Sequence, residues 1–384
     1  MKAIYFDHAA TTPVHTEVLE VMQRIINAGP MNSSSSHVFG RQAKAVFSEA
    51  RDQFAASLGC SAGELLFTSG GTESINTALI SSAFVQRKKG RNHLISSAAE
   101  HHAVLHTLQW LETEHQFKLT ILPVDKEARI SIAELEEVLT EETAVVTMMH
   151  GNNEIGTLQP IVVIGEKVKQ AGALFHVDAV QTLGYEQYQL REMPVDLMSF
   201  SSHKINGPQG VGALYIAAGT AFEPLFHGGA QQSNRRAGTE NIAGIAGFAA
   251  ALKMVEQNRE KKQHFMQLLR NRWIELLREQ IVHIPIIVHG SVDEQLSHIV
   301  NISFVGIDTE VMLMSLDMEG IAASSGSACT SGSLQRSHVL RAMGVSEDEL
   351  TSAVRFSFGL GNTIEELEYA APIVAKIVHR IKKP

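Results

Sequence analysis

From about Glu64 to Ile216 the chain alternates short β-type runs with longer helical patterns, and this narrows the fold more than any other feature. The run ELLFT leads into the helical ESINTALISSAFVQRK, and HLISS leads into HHAVLHTLQWLETE. KLTILPV, AVVTMMH, LFHVDAV, DLMSFSS and GALYI follow as β-type runs, with the helical IVVIGEKVKQAG among them. Strands that alternate with helices predict an α/β fold whose mostly parallel sheet is covered on both faces. Ligands of such sheets sit at the carboxyl ends of the strands, so function is to be sought in the loops there.

A Gly- and Arg-rich loop, His227–Asn241, closes this region, and a long helical stretch runs from Ile242 to about Glu279. A smaller α+β unit continues to Pro384, with strands near HIVNISFV and AVRFSFG and a last helix TIEELEYAAPIVAKIVHRIKK. The 384 residues allow two or three domains. A net charge of −9, with no basic run longer than RKKGR at Arg87–Arg91, gives no reason to expect a nucleic-acid partner. Two cysteines can form neither a disulfide framework nor a structural zinc site, and no metal is expected. The N-terminal MKAIYFDHAATTP has too short an apolar run for a signal peptide. No segment reaches membrane-spanning length, which predicts a cytoplasmic protein without a membrane partner.

Four loops follow apolar strands with polar residues. In FTSGGTES (Phe67–Ser74), small residues between strand and helix let backbone N–H groups approach an anion, with Gly71 and Thr72 as the contacts. Taken alone, this is as well explained by an ordinary helix cap. In AEHHAVLH, His101 stands at the start of a helix, where a cap is the plainer role. HGNNEIGTLQP places Asn152 and Asn153 after a buried strand. The informative pair is FHVDAVQ, with Asp178 and Gln181, followed by SFSSHKINGPQGVG, with His203 and Lys204. A carboxylate at the end of an apolar strand needs a cationic partner. A lysine that loses its proton by desolvation can form a Schiff base, and an aspartate is the recurrent partner of a pyridinium nitrogen. With a phosphate-type loop at another strand end, the pattern points to pyridoxal phosphate.

Cys329 lies in SSGSACTSGS, a run of small polar residues unlike the apolar company of a structural cysteine. Such a loop suits thiolate chemistry, although a spare thiol on a linker has the same local look. Cys60, in AASLGCSAGELLF, adjoins an apolar helical run and reads as structural.

Together these segments resemble the cysteine desulfurases of the NifS/IscS type, within the class V aminotransferases. The resemblance covers nearly the whole chain through YFDHAATTP, FTSGGTES, EHHAV, GNNEIGT, HVDAVQ, SSHKINGPQGVGALY, RRAGTEN, SSGSACTSGS and VRFSFG. It implies the fold type I architecture of pyridoxal-phosphate enzymes. Residues 21–255 would be the large cofactor domain and residues 256–384 a small α+β domain with the cysteine loop, residues 1–20 packing against the latter. It implies that Lys204 holds the cofactor covalently, that Asp178 pairs with the pyridine nitrogen, and that His101 stacks on the ring and relays protons. Asn153 and Gln181 would bond the phenolic oxygen. Gly71, Thr72, Ser201 and His203 would hold the phosphate, and Thr239 would reach the phosphate of a neighbouring subunit in a homodimer. Arg355 would clamp the substrate carboxylate with its planar fork, helped by Asn153 and Asn32. Cys329 would be the nucleophile that takes sulfur from L-cysteine, releases L-alanine and passes a persulfide on. The acceptor would be an iron–sulfur scaffold or a tRNA-thiolating enzyme.

Two departures stand out. The family's GNPSS segment reads MNSSSS here, with Ser33 in place of proline, and the chain stops soon after its final helix. A selenocysteine lyase or a plain aminotransferase would share the fold, but an aminotransferase has no need of Cys329. A silent sulfur-transfer scaffold would need none of Lys204, Asp178, His101 and Cys329.

Overall fold

The computed structural model describes residues 3–326 and 336–382 of the chain, and Cys329 lies outside them. The chain opens with β1 (Ile4–Tyr5), α1 (Thr16–Asn27) and α2 (Val38–Ser57). Next come β2 (Leu65–Thr68), α3 (Gly71–Arg87), β3 (His93–Ser97), α4 (His102–His115), β4 (Lys118–Leu122), α5 (Ile132–Val138), β5 (Thr143–Met149) and α6 (Ile161–Gln170). The strands β6 (Leu174–Asp178), β7 (Leu197–Ser201) and β8 (Gly212–Ile216) complete this part. After α7 (Gln231–Asn234) and α8 (Ile242–Gln280) come β9 (Ile286–His289), β10 (Ile299–Phe304), α9 (Thr309–Met318) and β11 (Ile321–Ala322). The chain ends in α10 (His338–Ala342), α11 (Glu347–Leu350), β12 (Ala353–Ser357) and α12 (Ile364–Ile381).

The large sheet has the order β2-β8-β7-β6-β5-β3-β4. Every pairing in it is parallel except those of β8, which runs antiparallel to both β7 and β2. The alternating pattern carries no sign of that reversed strand, because GALYI is as apolar as its neighbours. β2, β3 and β5 to β8 are buried almost throughout, apart from a half-buried Leu174, as expected of strands with helices on both faces. The edge strand β4 carries an exposed Lys118, which discourages pairing with another chain. From β3 the chain goes outward to β4 and then returns to β5, β6 and β7 on the other side. That reversal opens a crevice at the carboxyl ends of β3 and β5.

A second, antiparallel sheet has the order β12-β10-β9, and β1 pairs in parallel with β11. The N-terminal segment continues along β12, where Asp7 bridges to Ser357. The 39-residue α8 ties the two parts together. Its first half, Ile242 to Val255, packs into the core of the large sheet. Its second half, from Met266 to Leu277, packs with Ile4, Phe6 and the β10 and β12 side chains. At about 1.5 Å per residue such a helix spans roughly 58 Å, long enough to be shared by two cores. Among the described residues, no helix is long and apolar enough to cross a membrane.

Candidate active site

The carboxyl ends of β2, β3, β5, β6 and β7 surround a cavity of about 290 Å³. Gly71 and Thr72 reach it from the start of α3, His101 from the residue before α4, and Asn153 from the loop after β5. Asp178 and Gln181 reach it from β6, Ser201, His203 and Lys204 from β7, and Arg355 from β12. One cavity thus gathers ten of the residues singled out in the sequence.

Lys204 ends a short 3₁₀ turn, Ser202–Lys204. Its Nζ donates to the carbonyls of Ala9 and Ala10 at 2.5 and 2.8 Å. The HAATT segment is pinned from the same side, because the His203 carbonyl accepts from the Thr12 N–H at 2.9 Å and the Thr12 hydroxyl at 2.8 Å. Gln181 Nε2 donates to the Ala9 carbonyl at 2.9 Å. Sequence reasoning gave this N-terminal segment no place in the site, yet it forms one wall.

Asp178 is 4% exposed, and its Oδ1 accepts from the Val180 N–H at 3.0 Å. Burial pushes its carboxyl up to about 6, against the Val180 hydrogen bond and the charge of Lys204. His101 caps α4, its Nδ1 accepting from the Ala103 N–H at 3.1 Å. Burial and then the charge of Lys204 push the imidazole down to about 4, so the ring is neutral near pH 7. With Nδ1 accepting, the proton sits on Nε2 and is available for donation. His203 is likewise pushed down to about 4 by burial, and its Nδ1 lies 3.1 Å from Thr11 Oγ1.

These residues fit pyridoxal phosphate. The Ser201 hydroxyl is buried and has no hydrogen-bond partner among the described residues, as a group set aside for a phosphate oxygen would be. The N-terminus of the 17-residue α3 supplies N–H groups and positive potential beside it. A Cβ on Gly71 would stand 2.8 Å from Val180 Cγ2, so a larger residue there would narrow the cradle. Asp178 is a buried carboxylate of the kind that would pair with a protonated ring nitrogen.

Arg355 is 2% exposed. Its Nη2 donates to Asp7 Oδ1 at 2.8 Å and its Nη1 to the Asn153 carbonyl at 2.9 Å, while its Nε–H lacks a partner among the described residues. Asp7, another residue the sequence reading passed over, is a resident carboxylate on the arginine fork. The signal was an acidic residue directly after the apolar IYF.

Asn32 and Thr239 are exposed and do not line this cavity within one chain. Asn32 Oδ1 accepts from the Ser34 N–H at 3.0 Å, and Ser33 Oγ donates to Glu240 Oε2 at 2.8 Å, which brings the two loops together. Asn152 is structural: it donates to the Ala99 carbonyl at 2.9 Å and accepts from the N–H groups of Glu154 and Ile155. Two buried acids also went unnoticed in the sequence. Glu100 is fully buried behind His101, and Glu154 accepts from the Ser337 hydroxyl beside the cysteine segment.

Comparison with known proteins agrees with this geometry. The class V aminotransferase family matches residues 4–370. A Bacillus subtilis (strain 168) relative named IscS 1 is 45% identical over 382 residues, 99% of this chain and all of that one. The cysteine desulfurase IscS of Methanosarcina thermophila is 42% identical over 382 residues, 99% of this chain and 93% of that one. A solved NifS-like protein superimposes with a TM-score of 0.91 at 34% identity, covering 98% of this chain and 100% of that chain. The chain therefore belongs to the pyridoxal-phosphate-dependent class V aminotransferase family, on its IscS/NifS cysteine desulfurase branch.

Proposed function

We propose that the chain converts L-cysteine to L-alanine and holds the sulfur as a persulfide on Cys329 for an acceptor protein. The observation that carries this reading is the single cavity joining Lys204 and a buried Asp178 to Arg355. Pyridoxal phosphate, when bound, supplies an electron sink for the charge left at the substrate α-carbon. Lys204 holds the cofactor at rest, and its Nζ then takes the α-proton. Asp178 would keep the pyridine nitrogen protonated, Asn153 and Gln181 would bond the phenolic oxygen, and Gly71, Thr72, Ser201 and His203 would hold the phosphate. His101 would cover the ring and move a proton through Nε2. Arg355 receives the substrate carboxylate, with Asn153 beside it, and Asn32, which does not line the cavity within one chain, would join it from the homodimer interface. The Cys329 thiolate attacks the substrate sulfur and the Cβ–S bond breaks with its electron pair left on Cβ; one proton delivered to Cβ and one returned to the α-carbon give alanine, and the sulfur stays on Cys329 as the persulfide.

In this reading the enzyme is a homodimer in which Thr239 serves the partner's phosphate. Exposed apolar side chains at Ile26, Val38 and Phe39, on either side of Asn32, support a covered face there. The division into an N-terminal segment, a large domain ending near residue 255 and a small domain is supported by the two cores that meet along α8. The acceptor is an iron–sulfur scaffold or a tRNA-thiolating enzyme in the cytoplasm. The test is Lys204→Ala: it should fold, lack a visible absorption that borohydride bleaches, and form no alanine from L-cysteine. Alanine formation near the normal rate would remove Lys204 from the mechanism.

A further inference from the structure

A second cavity, of about 340 Å³, lies between α8, the Ile205–Asn206 step that follows Lys204, and the Gly359–Gly361 turn before α12. Its walls are largely apolar, with Met254, Val255, Phe265 and Leu360. Its ionisable lining residues are His15, Lys261 and Lys262, all basic. No aspartate or glutamate lines it, although the chain carries 41 acidic residues against 32 lysines and arginines. Such a bias inside an acidic protein favours an anion.

Lys262 is the residue that calls for one. It forms no hydrogen bond or ion pair with any described residue, and its ammonium sits 3.7 Å from the centre of the Tyr185 ring. His298 stacks on the same ring at 3.9 Å and 10°, so lysine and histidine sandwich the tyrosine. A cation–π contact contributes about 0.5 to 2 kcal/mol, and Lys262 is only half-buried, so its ammonium stays open to an anion entering the cavity. Burial pushes the amine down to about 7.

We propose that this cavity is a binding site for a small organic monoanion with an apolar body, a medium-chain or aryl carboxylate, whose charge rests on Lys262. The apolar walls take the body and the lysine takes the head. His15 and Lys261 line the cavity with Lys262, whose ammonium lies over the Tyr185 ring on which His298 stacks, and His8 acts electrostatically on His298. Burial keeps His8 and His298 neutral near pH 7 and raises Tyr185 well above its usual range. Binding at pH 7 to 8 therefore draws a proton onto Lys262, and affinity rises as pH falls through this range.

The test is calorimetric titration of the cofactor-loaded enzyme with octanoate and, separately, octylammonium, in two buffers of different ionisation enthalpy. Octanoate should bind one per chain with net proton uptake, and octylammonium should not bind. Lys262→Met keeps the volume but removes the charge. It should weaken octanoate at least tenfold and abolish the proton uptake. Asn258→Glu adds a carboxylate to the lining of an otherwise unchanged helix face and should weaken octanoate similarly. Arg355→Ala should leave octanoate affinity unchanged. The proposal is overturned by absence of saturable octanoate binding, by equal binding of octylammonium, or by affinity unaltered in Lys262→Met. Loss of binding in Arg355→Ala alone would place octanoate in the active site and overturn it equally.

Discussion

Glu100 offers a quantitative test of how the site is held. Its carboxyl is fully buried beside His101 and has no cationic partner among the described residues. Oε1 accepts from the Ser97 hydroxyl at 2.7 Å, Met149 contributes a backbone hydrogen bond, and Oε2 has no partner among the described residues. Burial is the main cause, and the Asp178 charge a lesser one, that pushes Glu100 from 4.5 up to about 8. The folded protein thus keeps the acid neutral while the unfolded chain ionises it. Stability is fully present below pH 4.5 and is lost as pH rises through about 8. The slope is about 1.4 kcal/mol per pH unit, so the full loss approaches roughly 5 kcal/mol. Glu100→Gln keeps the shape and the neutral state and has no proton to lose. Urea unfolding of cofactor-free wild type and variant should agree near pH 4.5. By difference, the variant should gain about 3 kcal/mol between pH 5.5 and 7.5. Asp178 titrates in both proteins and cancels in that difference. A gap that stays constant with pH would show that Glu100 is ionised in the folded protein and would refute the burial argument.

Three further outcomes are expected. Asp178→Asn should retain cofactor but slow α-proton removal by orders of magnitude, seen by solvent deuterium exchange into alanine, because an amide does not hold a pyridine nitrogen protonated. Arg355→Lys keeps one charge for Asp7 but loses the planar fork, and should raise the KM for L-cysteine about tenfold or more. Saturation matching wild type would move the carboxylate site elsewhere. Sedimentation should show a dimer at assay concentration, and an active, cofactor-loaded monomer would remove the role given to Thr239.

The parallel sheet was legible because its buried strands and covering helices have different periodicities, and function follows from where such sheets place their loops. Asp178 and Lys204 were legible for a related reason: a charge at the end of an apolar strand needs a partner, and two adjacent strand ends provided it. What stayed hidden depends on contacts distant in sequence. Asp7 meets Arg355 across 348 positions, and Ala9 meets Lys204 across 195. No local pattern encodes such pairs. The reversed β8 was hidden because strand direction leaves no mark on composition. Glu100 was hidden because EHH reads as an ordinary helix start, and only burial turns its carboxyl into a neutral acid.

The central claim is that Cys329 carries the sulfur, and mass spectrometry of the intact and digested protein tests it most directly. Cys60, the other thiol, is pushed up to about 12 by burial and the neighbouring Glu64, and so is almost wholly un-ionised at neutral pH. After brief exposure to L-cysteine without reductant, wild type should carry one additional sulfur on the peptide containing Cys329 and none on that containing Cys60. Cys329→Ser should retain bound cofactor, carry no additional sulfur and yield no alanine. Extra sulfur on Cys60, or alanine formation by Cys329→Ser at the wild-type rate, would contradict the mechanism.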